Sequence, residues 1–171
     1  MKKLYELEPK LKKTREKIIM SVCLLLSSLC YGVSGFLLYP ALYQFFAVAL
    51  LSMSVLVIVR YLLRNYVYAI HGDENGVPHE FVVVEIMGKK QTVVCRISLS
   101  DVVNFIPCAV FLKSGMGRGQ EIYRYVSELF PEHAYFAEVL QGEKRFFVEI
   151  YADRELSDLI KSNKRQDLAE I

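Results

Sequence analysis

The sequence predicts a membrane protein in which a two-helix transmembrane hairpin precedes an α+β domain. Residues 18–59 hold no charged residue, although 23% of the 171 residues are charged. From residue 65 onward, short alternating stretches of β-branched and aromatic residues are separated by turn formers, which is typical of strands. About 20 apolar residues cross the hydrocarbon core of a bilayer, so the uncharged block is long enough for two helices.

The charges divide the chain into three regions although the net charge is only +2. Residues 1–17 have seven basic and three acidic residues, and residues 65–171 have twelve basic and sixteen acidic residues. Basic residues thus flank the uncharged block on both sides. The positive-inside rule therefore predicts a multi-pass protein of the cell membrane with both termini cytoplasmic and residues 1–17 as a basic tail.

The hairpin is expected over residues 18–64, with spans at 18–38 and 42–63. Pro40 marks the break because it lacks a backbone donor, and Tyr39 and Tyr43 have the amphipathic rings that favour the membrane interface. The basic residues at the inner ends of the two spans are candidate contacts for the membrane surface or a partner: Lys12, Lys13, Arg15, Lys17, Arg60 and Arg64.

Two alternatives exist for the uncharged block. A signal peptide also begins with basic residues, but residues 18–38 exceed a typical apolar core, no small-residue cleavage motif follows, and a second span comes next. A helical hairpin buried in a soluble protein is disfavoured by the length of the block. Within the first span, Ser28, Gly32 and Gly35 would allow close approach of another helix, which leaves a homo-oligomer open.

The domain at residues 65–164 is predicted to form a seven-stranded antiparallel sheet in meander order, rolled and covered at its open end by a C-terminal helix. The strands are expected at 66–70, 80–86, 92–98, 103–111, 121–127, 134–141 and 145–152. Pro107 places its strand at an edge or a bulge, and residues 113–120 are expected as a flexible connection. Asp153 is a candidate N-cap for a helix at 154–164, and residues 165–171 are expected to fray.

No catalytic, cofactor or metal site is predicted. The glycine-rich residues 115–119 lack the Lys-Ser/Thr ending of a phosphate-binding loop, the four cysteines form no CxxC pair, and the three histidines lack ligand spacing. The acidic balance of the domain disfavours nucleic-acid binding. Lys89 and Lys90 form a small basic turn, which is a further candidate contact for a membrane or a partner.

Three passages, at residues 66–70, 96–103 and 147–160, resemble bacterial pleckstrin-homology-like domains carried behind a transmembrane hairpin in small Firmicutes-type membrane proteins. The resemblance implies a PH-like fold at the inner face of the membrane. Pleckstrin-homology domains that bind inositol phosphates use basic residues around the first hairpin loop, whereas this loop contains Asp73 and Glu74. Phosphoinositide binding is therefore not expected.

Two functions follow as hypotheses, and neither is enzymatic. In the first, the hairpin anchors a PH-like interaction or scaffold module to the bilayer, and an edge strand or the helix recruits a protein partner. In the second, the chain is an accessory or regulatory subunit of a membrane complex, such as a transporter or an envelope-associated assembly, bound through its hairpin. The sequence identifies no partner.

Overall fold

A computed structural model describes residues 2–9, 13–36, 38–131 and 133–163. The chain forms two compact units. The helical unit comprises Leu11–Asn65 together with Ser127–Leu129, and the β unit comprises Met1–Lys10, Tyr66–Val126 and Phe130–Ile171. Lys12 and the expected frayed tail at residues 165–171 lie outside the described residues.

The helical unit is a hairpin of two long helices. Helix α1 spans Thr14–Val33 and continues as a 3-10 turn at Ser34–Phe36, and α2 spans Pro40–Val57 and continues as a π-helical turn at Ile58–Leu62. Pro40 is the first residue of α2, which confirms the predicted break, since proline at this position has no amide to leave unpaired. Each helix, counted with its extension, has 23 residues and is apolar enough to cross a membrane.

The interface between the two helices is made of small and polar side chains. The Ser27 hydroxyl donates a 2.8 Å hydrogen bond from α1 to the backbone carbonyl of Ala47 in α2. Among the described residues of the hairpin, the other buried side chains are Glu16, Cys23, Ser34, Ser54 and Val57. Small side chains let two helix backbones approach closely, as in helices that pack within a bilayer.

The β unit contains two four-stranded sheets. The first has the order β1-β2-β3-β4, with strands at Lys2–Leu7, Arg64–Gly72, Pro78–Met87 and Lys90–Ser98. The second has the order β5-β7-β8-β6, with β5 at Val102–Pro107, β6 at Glu121–Arg124, β7 at Ala134–Gln141 and β8 at Lys144–Tyr151. Helix α3 covers Cys108–Ser114, and α4 covers Arg154–Asn163.

The predicted single sheet of seven strands is wrong: the described residues form eight strands in two sheets. The additional strand is β1, which pairs antiparallel with β2 from Lys2 opposite Gly72 to Leu7 opposite Tyr68. The second sheet is not a meander either, because β6 lies at its edge and runs parallel to β8.

The strand expected at residues 103–111 ends at Pro107, and α3 begins at Cys108. Proline cannot donate to a strand ladder, and its fixed φ of −58° suits the residue that precedes a helix. The segment at 113–120, expected as a flexible connection, consists of the end of α3 followed by hydrogen-bonded turns, with Arg118 N donating to Gly115 O at 3.2 Å.

One hydrophobic core is shared by both sheets and α4. Its fully buried members include Ile70 and Val83 from the first sheet, Val148 from the second, and Leu156 and Ile160 from α4. Asp153 caps α4 by accepting the amide of Leu156 at 2.9 Å, as predicted. Two sheets and a C-terminal helix thus bury a common interior.

A tyrosine hydroxyl lies inside this core. The Tyr68 hydroxyl donates to the carbonyl of Tyr125 at 2.6 Å and accepts the amide of Tyr151 at 3.3 Å. Because the ring is fully buried, this hydroxyl satisfies backbone groups that water cannot reach.

A smaller cluster occupies the opposite face of the second sheet. Phe111 of α3 stacks on Phe136 with ring centroids 3.9 Å apart and meets the edge of Phe147 at 4.8 Å. Side chains alternate between the two faces of a strand, so Phe136 and Phe147 point away from the main core while their neighbours point into it. Phe111 thereby fixes α3 to the sheet.

Candidate functional site

The basic residues predicted as contacts lie in both units. Among them, Lys13 donates three hydrogen bonds within the helical unit. It precedes α1 with a left-handed φ of 46°. Its ammonium donates to the carbonyls of Arg64 at 2.7 Å and Leu62 at 3.4 Å, and to the Asn65 side-chain oxygen at 2.7 Å. The last carbonyls of a helix have no partner within the helix, so Lys13 fastens the start of α1 to the end of the second helix. It is a structural cation here.

The charge of Lys13 is balanced within the helical unit. Burial lowers the pKa of Lys13, and the carboxylates of Glu16 and Glu128 act in the opposite direction. Glu16 is only 3% exposed, and its carboxylate accepts the amide of Leu129 at 2.9 Å. A carboxylate in the first turn of a helix is also favoured by the helix dipole.

Sequence reasoning missed the role of Glu16. The signal was present: Glu16 is the only acidic residue between Glu8 and Asp73. A solitary carboxylate inside a basic segment at the start of an apolar helix indicates a specific hydrogen-bonding or ionic partner. An exposed carboxylate there would only reduce the net positive charge that precedes the helix.

The other predicted basic residues of the hairpin lie near its two ends. Arg15 and Lys17 are exposed in the first turn of α1. The Arg60 guanidinium lies 6.0 Å from the ring centroid of Tyr61, a cation–π arrangement, and Arg64 is half-buried. Lys13 is brought to Arg64 through the backbone carbonyl of Arg64 rather than through its side chain.

Lys89 and Lys90 belong to the β unit. With Gly88 at a φ of 62°, Lys89 forms the tight turn between β3 and β4, and Lys90 is the first residue of β4, opposite Met87. Both side chains are exposed. The turn between β3 and β4 is therefore basic and exposed to solvent.

The β unit also holds two buried carboxylates that sequence reasoning did not single out. Glu138, 1% exposed, accepts the Asn104 amide at 2.7 Å and pairs with Arg145. Glu149 lies 3.2 Å from the Nε of Arg124. Pairing with arginine offsets the cost of burying a carboxylate, and the pairs connect neighbouring strands of the second sheet. In a strand pattern these glutamates look like ordinary outward residues.

Cys95 and Cys108 of the β unit have little nucleophilic character. Burial raises the pKa of the Cys95 thiol to about 11, and the hydroxyl of neighbouring Tyr125 offsets part of that rise. Burial also raises the pKa of Cys108. Because the thiolate is the reactive form, both side chains are protonated and unreactive near neutral pH.

The first hairpin loop is a turn ordered by its own carboxylate. Asp73 accepts the amides of Asn75 and Val77, each at 2.9 Å, and His71 lies 3.7 Å from Glu80. Across the described ranges, no group of three His, Cys, Asp or Glu side chains is arranged to hold a metal ion. No family model matches the chain, and neither a curated protein nor a solved structure is significantly similar to it.

Proposed function

We propose that this chain is an integral membrane protein whose hairpin holds the β unit at the inner face of a bacterial cytoplasmic membrane, where the β unit acts as a non-enzymatic interaction or scaffold module. The observation that carries the proposal is the outer surface of the hairpin. Leu25, Phe45 and Leu56 are each more than two-thirds exposed, and similar apolar side chains follow along both helices. Such a surface is costly in water and favourable in lipid.

The pairing of β1 with β2 supports the proposed topology. One strand precedes the two helices in the chain and the other follows them, yet they share a sheet. Two segments of one sheet must be on the same side of a bilayer, so the pairing fits two crossings. The basic residues that flank both helices favour the cytoplasmic side for that sheet.

The PH-like assignment remains part of the proposal. Its support is the arrangement of two sheets around one core with a C-terminal helix packed into that core through Leu156 and Ile160. The resemblance implies seven strands followed by a helix along the chain, to which β1 and α3 are additions, and it does not include the parallel pairing of β6 with β8.

An open sheet edge is the surface we assign to a protein partner. β4 is the outer strand of the first sheet, and its first four residues are exposed, including Val93. An exposed edge can accept a strand from another protein through backbone hydrogen bonds. Lys89 and Lys90 at the start of this edge would favour an acidic partner segment.

The topology is tested with two reporters in the full chain. One, active only in the cytoplasm, is fused to the C-terminus, and the other, active only outside it, is inserted between residues 38 and 39. We expect both to be active. An external signal from the C-terminus, or a cytoplasmic location of the inserted reporter, would overturn the proposed orientation.

The partner surface is tested by cross-linking in native membranes. Val93→Lys places a charge on the β4 edge, and Val77→Lys is the matched control because Val77 is a similarly exposed valine in a loop. We expect the cross-linked partner band to be lost in the first variant and retained in the second. Equal bands in both variants would exclude the β4 edge as the docking surface.

A second candidate is the accessory subunit bound through its hairpin. Ser28 is exposed, and a Cβ atom added at Gly32 or Gly35 would meet nothing within 4 Å, so another helix has room to approach there. Replacing residues 14–62 with an unrelated apolar hairpin distinguishes the two functions. Partner capture that survives the exchange supports the β unit as the binding element, and capture that is lost while the β unit stays folded supports the hairpin.

A further inference from the structure

Helix α3 and the turns after it present apolar side chains on their outer side. Phe111 packs inward on the second sheet, whereas Val110, Leu112 and Met116 are exposed, Leu112 by 69%. A helix that packs one face on a sheet ordinarily shows polar residues on the other. We name residues 108–119 the α3 loop. Packing on the second sheet does not account for the apolar side chains on its outer surface.

The charge of the α3 loop is purely basic. No acidic residue occurs between Asp101 and Glu121, while Lys113 and Arg118 lie within the loop. Both line a surface cleft of about 440 Å³ whose wall also includes Leu112. In the part of the chain that the structure describes, no carboxylate lies within ion-pair distance of either side chain. The cleft therefore combines cations with apolar surface.

The α3 loop is held in place by packing. A Cβ atom at Gly117 would lie 2.7 Å from the Phe111 ring and 3.1 Å from Ile122, so only glycine allows the turn to pack this closely. Ser114 donates its hydroxyl to the carbonyl of Phe111 at 2.8 Å, which closes the end of α3. A preorganised surface pays little ordering entropy when it binds.

We propose that the α3 loop is an interfacial contact with the anionic leaflet of the membrane in which the hairpin is anchored. Val110, Leu112 and Met116 enter the boundary between headgroups and acyl chains, and Lys113 and Arg118 bind lipid phosphates. This inference rests on the proposed membrane anchoring. The pattern of apolar and basic side chains is that of elements that lie in a bilayer interface.

Tethering makes a weak contact sufficient. β2 begins at Arg64, two residues after the second helix ends at Leu62, so only Leu63 separates them. A domain of about 100 residues has a radius of gyration of about 13 Å. So short a connection keeps the β unit beside the leaflet in the proposed topology, and the local concentration of lipid is high.

Fluorescence provides the test because the sequence contains no tryptophan. The full chain carrying Leu112→Trp is reconstituted into vesicles of phosphatidylglycerol and phosphatidylcholine with brominated acyl chains. We expect blue-shifted emission and quenching of at least twofold. Val77→Trp, an exposed position in the loop that also contains Asp73 and Glu74, is the control and should remain unquenched.

Two further variants separate the causes. Lys113→Gln with Arg118→Gln, added to Leu112→Trp, should remove most of the quenching, as should vesicles of phosphatidylcholine alone. Phe45→Trp on the outer face of α2 reports insertion of the hairpin independently. Quenching at position 45 with none at position 112 would overturn the interfacial contact and favour a protein as occupant, whereas no quenching at position 45 would overturn the membrane anchoring itself.

Discussion

The helical unit and the β unit distribute their side chains in opposite ways. In the helical unit the buried side chains are small or polar, such as Ser27 and Ser54, while leucines such as Leu25 are exposed. In the β unit the large apolar side chains are buried, and Ile70 and Val148 have no exposed surface. One chain therefore contains a unit with its large apolar side chains on the outside and a unit with its large apolar side chains on the inside.

The contrast indicates that different forces stabilise the two units. Burial of apolar surface away from water is the main favourable term for the β unit. In the helical unit that term is available only if the surroundings are lipid, and association of the two helices depends on close packing and on hydrogen bonds such as that of Ser27. Substitutions chosen in pairs can test this difference.

The largest effect is expected in the core of the β unit. Leu156→Ala removes a fully buried side chain from α4 and should cost about 2–5 kcal/mol of stability, because a cavity is left behind. Leu25→Ala, at an exposed position of α1, should leave the β unit unchanged. Thermal unfolding of the full chain in detergent, followed by near-ultraviolet circular dichroism of the tyrosines, compares them. Equal losses would contradict the contrast between the units.

The next effect concerns the buried hydroxyl of Tyr68. Tyr68→Phe leaves the Tyr125 carbonyl and the Tyr151 amide without this partner and should cost about 1–3 kcal/mol. Tyr123→Phe is the matched control, since its hydroxyl bonds only to Glu121 of the same strand at an exposed position. Denaturant titration of both variants measures the difference, and similar midpoints would show that burial of the hydroxyl is unimportant.

A smaller effect is expected between the helices. Ser27→Ala removes the hydrogen bond to Ala47 and should weaken helix pairing by about 0.6 kcal/mol, the average that double-mutant cycles give for interhelical hydrogen bonds in one helical membrane protein. Ser28→Ala removes only a bond to Leu24 within α1 and should change pairing little. Helix separation in mixed micelles of rising denaturing-detergent fraction gives the comparison. A larger loss for Ser28→Ala would place the interface on another face of α1.

The smallest effect near neutral pH involves Cys95. Burial raises its pKa from an ordinary 9.0 to about 11, so the unfolded thiol loses its proton before the folded one. The stability that the protonated Cys95 thiol contributes to the folded state is complete below pH 9, and it is lost as the pH rises from 9 through 11. Cys95→Ala should therefore show a shallower loss of stability across that range, with Cys30→Ala as the control. Identical slopes would contradict a protonated buried thiol.

The sequence predicted the elements whose signals are local. Pro40 divides the helices because its backbone has no donor, and Asp153 caps α4 because a carboxylate accepts the free amides of a first turn. Strands are also present near all seven predicted positions. The alternating side chains and the turn residues that predict a strand lie within a few positions of one another in the sequence.

Features that depend on distant partners were missed. β1 is highly charged and becomes a strand only by pairing with β2 some 60 residues later, and β6 adopts a parallel register set by β8. The short helix α3 gives no periodic signal over seven residues, and it is fixed to the sheet through Phe111, with Cys108 packed beside it. The hydrogen bonds from Lys13 to the carbonyls of Leu62 and Arg64 were not predicted either, because these carbonyls lie 49 and 51 positions later in the chain.

The position of β1 has a consequence for biogenesis. Its partner β2 leaves the ribosome only after both helices have been synthesised, which takes several seconds at about 5–20 residues per second. Until then β1 has no strand to pair with. In the proposed membrane topology, it pairs afterwards only if the second helix returns the chain to the side of the membrane on which β1 lies. In the proposed membrane topology, closure of the first sheet therefore requires both crossings, because a chain that crossed once would leave β2 with an open edge.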